Sequence, residues 1–260
     1  MITKINKTVI IGASAVLAIS ALVSVAGATH SWGGYHWART ANPFTLKLGD
    51  NVSGAAWDLS LATASADWSL SGVLDTAIVT GSTNQKNCKP VAGRVEVCNS
   101  KYGNNGWLGI AGIYASGGHI TQGYVKLNDT YFNTASYNTP AWRNLVMCQE
   151  IGHTLGLDHQ DEKFDNLNLG TCMDYTSDPS SNQHPNAHDY EMLETIYAHL
   201  DSTTTVGQSV SSARQNEDVD HSDPSTWGKE ISKSHDGHSS IFERDFGGGR
   251  KAFTFVFWAK

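Results

Sequence analysis

Gln149-Glu150-Ile151-Gly152-His153-Thr154-Leu155-Gly156-Leu157-Asp158-His159 is the stretch from which the rest of the chain can be read. On a helix, residues four apart share a face, so Gln149 and His153 point the same way and Glu150 stands beside them. Gly156 then permits a sharp turn, because glycine enters positive φ without steric penalty, and His159 is carried back toward the same point. One carboxamide, two imidazoles and a carboxylate are thereby expected in one place. A catalytic zinc ion needs three protein ligands, an open position and a nearby carboxylate to take a proton. Gln149, His153 and His159 with Glu150 supply those groups by residue type and spacing.

The segment from about residue 139 to 200 resembles the metzincin clan of zinc peptidases, which includes matrixins, astacins and serralysins. The likeness is carried by Glu150, His153, Gly156 and His159, by Met173 where the clan has a methionine turn, and by Tyr175 two residues later. It implies an α+β fold with a twisted mixed sheet, an active-site helix, a C-terminal helix and a methionine turn below the metal. It further implies a secreted zinc-dependent endopeptidase with one catalytic Zn2+. Glu150 would be the general base, Tyr175 would steady the oxyanion, and Met173 would be structural. The substrate would be a protein or peptide bound in extended form along an edge strand, a role assigned to Ile120 to Asn128.

The clan has a histidine where this chain has Gln149. A carboxamide oxygen reaches zinc from the same helical position, but it is a neutral and weaker donor than imidazole, so a less tightly held ion is expected. The alternative is a pseudopeptidase, a secreted binding protein that keeps the fold and has lost catalysis through Gln149. A third class is a cell-surface structural protein retained by its N-terminal segment.

Cys148 lies about 140° around the helix from His153 and cannot share its face. Four cysteines in an exported chain point to two disulfides. Proximity favours Cys88 with Cys98 and Cys148 with Cys172, although three pairings are possible. His184 and His188 are near enough to substitute for the missing imidazole, yet loop placement is the simpler expectation. His30, His36, His119, His199, His221, His235 and His238 show no ligand spacing and are expected at the surface or in packing. Asp161, Glu162, Asp165 and Asp178 could hold Ca2+, but they lack a dense alternating pattern, and solvated acid is the default.

Working outward, Thr139-Pro140 reads as a helix start, since the hydroxyl caps free amides and proline loses nothing at the first helical position. The motif helix is therefore expected from Pro140 to Leu155. Phe44, Leu46 and Leu48 alternate with polar residues as in a half-buried strand. Trp57, Leu61, Ala64 and Trp68 carry helical spacing. Short strands are expected at 75–80, 107–116 and 120–128, with a cysteine-stapled hairpin at 88–98. A second long helix is expected over 186–200. The apolar run 253–258 either returns to the sheet or forms an appendage.

The first 28 residues, with Lys4 and Lys7, an apolar run and Ala26-Gly27-Ala28, read as a signal peptide; an uncleaved membrane anchor is the alternative. Residues 29–202 are expected to form the metzincin-like domain, and 203–260 a polar linker with a short C-terminal β extension. The net charge of −7 becomes about −9 once the signal is removed, and no basic run interrupts it, which argues against nucleic acid as a partner. A secreted monomer without a membrane span is expected.

Overall fold

The computed structural model describes residues 30–209 and 219–259. The expected signal segment 1–28 and residues 210–218 of the expected linker lie outside the described residues. In chain order the elements are β1 (His36–Trp37), β2 (Phe44–Asn51), α1 (Ala55–Trp68), β3 (Leu74–Thr80), β4 (Val91–Ala92), β5 (Val95–Ser100), β6 (Trp107–Ser116) and β7 (His119–Asn128). Then follow α2 (Asp129–Phe132), α3 (Pro140–Thr154), α4 (Ala187–Ile196), β8 (Lys229–Lys233), β9 (Ser239–Gly247) and β10 (Arg250–Trp258).

The fold is mixed α+β, with few helices and one large mixed sheet ordered β3-β2-β5-β7-β6-β10-β9-β8. β3, β2, β5 and β7 run parallel, and β6, β10, β9 and β8 follow as an antiparallel succession. β1 and β4 make short pairings to β7. Parallel neighbours require crossover connections, and α1 supplies the one between β2 and β3.

α3 starts where the Thr139-Pro140 pair predicts: the Thr139 side chain accepts from the Trp142 amide at 3.2 Å, and proline sits in the first turn. It stops at Gly156, whose φ of +102° and 2.5 Å approach of the Tyr35 carbonyl to a would-be Cβ exclude other residues without strain. α3 packs between α1 and the sheet. Gly152 makes this possible, because a Cβ there would stand 2.6 Å from Met173 Sδ and 2.8 Å from Trp68 Cζ2. The Trp68 indole in turn donates to the Cys148 carbonyl at 3.1 Å. Gly152→Ala is expected to lower the unfolding free energy by about 1–3 kcal/mol through overpacking, read from the midpoint of a urea transition.

Two local expectations change, and one that was left open between two outcomes is decided. The 88–98 segment keeps its disulfide but is not a hairpin: Val91–Ala92 pairs with β7, and β5 lies between β2 and β7. The alternation around Val95 and Val97 reflects a strand buried from both sides, whose partners are remote in sequence. Ile120 to Asn128 is not an edge strand, since β7 is bonded to β5 on one side and β6 on the other. The run 253–258 returns to the sheet as part of β10, paired with β6 from Arg250↔Ser116 to Trp258↔Trp107. Phe253, Phe255 and Phe257 enter the main core, which a detached appendage would leave in water.

Candidate functional site

The motif places its side chains in the interior. Gln149, Glu150, His153, Met173 and Tyr175 are essentially without solvent exposure, and His159 is 8% exposed. The His153 and His159 rings meet edge to face with centroids 4.5 Å apart, and Tyr175 lies against His159 at 4.4 Å. The turn at Gly156 therefore brings the second imidazole back to the helix.

The His153 ring is oriented by its Nδ1, which bonds the Leu157 carbonyl at 2.9 Å, whereas His159 Nδ1 lies 3.3 Å from the Glu162 carboxylate without making a hydrogen bond to it. A ring whose Nδ1 proton is committed presents a bare Nε2, which is the arrangement that outer carbonyls and carboxylates impose on metal-binding histidines. Burial, followed by the neighbouring His159, holds His153 well below its ordinary pKa and so in the neutral, ligating form.

Gln149 is fixed just as firmly. Its Nε2 donates to the Cys172 carbonyl at 3.0 Å, which turns Oε1 to the other side with no hydrogen-bond partner. Glu150 Oε2 and both ring nitrogens of His159 are also buried and unpartnered. Leaving a buried polar atom unsatisfied costs on the order of 1–3 kcal/mol, and four in one short motif call for a common partner. A carboxamide oxygen and two imidazole nitrogens are a donor set that suits a divalent cation of the zinc type. Burial pushes Glu150 well above the usual carboxylate range, with a bond from the Ala111 amide opposing the shift. Its carboxylate lies against β6, where Gly109 leaves the room: a Cβ there would stand 2.6 Å from Glu150 Oε1.

Met173 lies against α3 at Gly152. The Cys148–Cys172 disulfide ties its turn to α3, and Gln160 donates to the Met173 carbonyl at 2.7 Å. α4 fastens the other side: Asp189, part of that helix's capping box, accepts from Thr171 Oγ1 and from Gln160 Nε2.

The C-terminal strands cover the site. Phe255 stacks on His153 with centroids 4.5 Å apart and planes 10° from parallel, and Phe257 meets Tyr175 edge-on at 4.7 Å. Ser239 of β9 donates to Glu162 at 3.0 Å and also engages the Tyr175 hydroxyl. Burial, then the Glu150 charge, raises the Tyr175 pKa well above its ordinary value.

His184 Nδ1 is held by Asp67 at 2.7 Å, and His188 lies against His30 and Glu191. Among the acids, Glu162 serves His159, Asp161 bonds Asn166 and the Lys163 amide, and Asp178 caps the turn at Ser180. Glu162 was not separable from solvated acid in the sequence; its place three residues after His159 is the only signal. His36 and His119, expected at the surface or in packing, instead gather with Asp201, and the ligand atoms of these three residues lie within 4.8 Å of one another, a group that could hold a metal ion. The signal was hidden because these residues meet only through β1–β7 pairing.

Among the described residues, no helix is long and apolar enough to cross a membrane. No family model matches the chain, and no curated protein matches it. Two solved structures of myroilysin are similar to it, both at 11% identity. One has a TM-score of 0.37 and covers 62% of this chain and 82% of that one; the other has a TM-score of 0.35, with 68% and 97%.

Proposed function

We propose that the chain is an exported metallopeptidase of the metzincin type, with Gln149 Oε1, His153 Nε2 and His159 Nε2 as zinc ligands and its own C-terminal hairpin lying over the cleft. The observation that carries this reading is the set of buried, unpartnered polar atoms on Gln149, Glu150 and His159, beside the His153 ring, whose Nδ1 is already committed to the Leu157 carbonyl.

Zinc bound there would supply a Lewis acid for the scissile carbonyl. Glu150, made more basic by burial, would take the proton of the attacking water as its carboxylate and deliver it to the departing amine. Tyr175 steadies the carbonyl oxygen as charge builds on it, once Ser239 no longer engages its hydroxyl. An extended substrate adds to β6 as an antiparallel strand, the position now taken by β10, and so passes the carboxylate at Gly109. Met173 and the Cys148–Cys172 bridge hold the floor of the site.

The test is hydrolysis of an unstructured protein by a chain whose hairpin has been loosened, with and without a zinc chelator. Chelation is expected to abolish cleavage and zinc to restore it. Cleavage that survives chelation overturns the reading. A loosened chain that is inert until Gln149→His is introduced establishes the pseudopeptidase instead.

A further inference from the structure

Three histidines from separate parts of the chain direct Nε2 at one carboxylate oxygen. Asp201 Oδ1 lies 3.5 Å from His36 Nε2, 3.2 Å from His119 Nε2 and 3.7 Å from His199 Nε2. His36 Nε2 and His199 Nε2 are themselves 3.2 Å apart. Tetrahedral zinc, with bonds of about 2.0 Å, sets neighbouring donor atoms roughly 3.3 Å apart. The observed separations bracket that edge length.

His36 Nδ1 is committed to the Gly34 carbonyl at 2.9 Å, so in the neutral ring Nε2 is a lone pair, approached by His199 Nε2 at 3.2 Å and by Asp201 Oδ1 at 3.5 Å. What holds the carboxylate oxygen against that nitrogen is a positive centre, either the proton of an imidazolium or one metal ion bound by all of these atoms. The same Nδ1 bond fixes the ring and its tautomer, as outer contacts do for metal-binding histidines. Asp201 is prepared in a parallel way: its Oδ2 accepts from Arg39 Nη1 at 2.9 Å and from the Arg39 amide at 3.1 Å, which leaves Oδ1 for the histidines. The backbone brings the parts together. His36 and His119 are direct register partners in the β1–β7 pairing, and the Asp201 amide donates to the Arg39 carbonyl at 2.9 Å.

We propose that His36, His119 and Asp201, completed by His199, form a second metal site that binds a divalent ion of the zinc class. Four protein donors leave no open position, so the site is structural. The ion fastens the N-terminal strand and the β6–β7 turn to the chain leaving α4. It shares no residue with the Gln149, His153 and His159 group and stands whether or not that group binds metal.

Zinc chloride titrated calorimetrically into the chelator-stripped full chain tests this, with melting temperature followed in parallel. His119→Ala is expected to bind one zinc equivalent fewer than the unaltered chain and to lose the rise in melting temperature tied to that equivalent. His199→Ala, at a half-exposed position, is expected to keep the equivalent with affinity lowered at least about tenfold. Counting the difference between chains cancels any ion at the motif. The proposal is overturned if a folded His119→Ala chain matches the unaltered one in stoichiometry and affinity. Should His119→Ala fail to fold, unchanged zinc affinity in His199→Ala overturns it equally.

Discussion

A chain carrying Phe255→Ala and Phe257→Ala is expected to hydrolyse an unstructured protein at least about a hundredfold faster than the unaltered chain. Both rings are buried over the motif, one on His153 and the other on Tyr175. Truncating a buried phenylalanine costs about 3–5 kcal/mol, and each 1.4 kcal/mol is tenfold in an equilibrium, so two truncations shift the balance between covered and open cleft by several decades. The rate gain is set lower than that shift because the same rings belong to the main core, and part of the loss falls on the whole fold. Circular dichroism of the altered chain is the control for folding. A folded double variant that cleaves no faster than the parent would falsify the role given to the hairpin.

In that loosened background, Glu150→Ala is expected to lower cleavage by about two to four orders of magnitude, the range a positioned general base contributes. Zinc uptake at the motif should survive, since Glu150 is not among its ligands. That combination separates a lost proton acceptor from a lost metal. Equal cleavage with and without Glu150 would place the chemistry elsewhere.

How much of this was legible depends on the range over which each signal acts. Thr139, Pro140 and Gly156 act within a turn of their own positions, and α3 begins and ends where they say. The return of His159 to His153 follows from helical spacing and one glycine, Gly156. The pairing of the four cysteines followed from proximity. Sheet order is another matter. The alternation of Ile120 to Asn128 says that a strand exists, not which strands flank it, and β7 proved internal. Cys88 to Cys98 had the cysteines and the alternation of a stapled hairpin, yet its strands prefer partners far along the chain. His36, His119, His199 and Asp201 were invisible for the same reason: only the β1–β7 register and the path after α4 bring them together. Gln149 was read as a substituted ligand, while its second task, holding the Cys172 carbonyl through Nε2, required the coordinates of the turn.

The pairing of β10 with β6 also bears on solubility. From Trp107 to Tyr114, β6 carries no charge and no proline, and an uncovered strand of that kind is a template for association with another chain. β10 and β9 move the free edge of the sheet outward to β8, where Lys229, Glu230 and Lys233 discourage such pairing. Any event that lifts the hairpin therefore uncovers the motif side chains and a self-adhesive edge together, so under the proposed function the opened protein has only as long to find a substrate strand as it takes to meet another copy of itself.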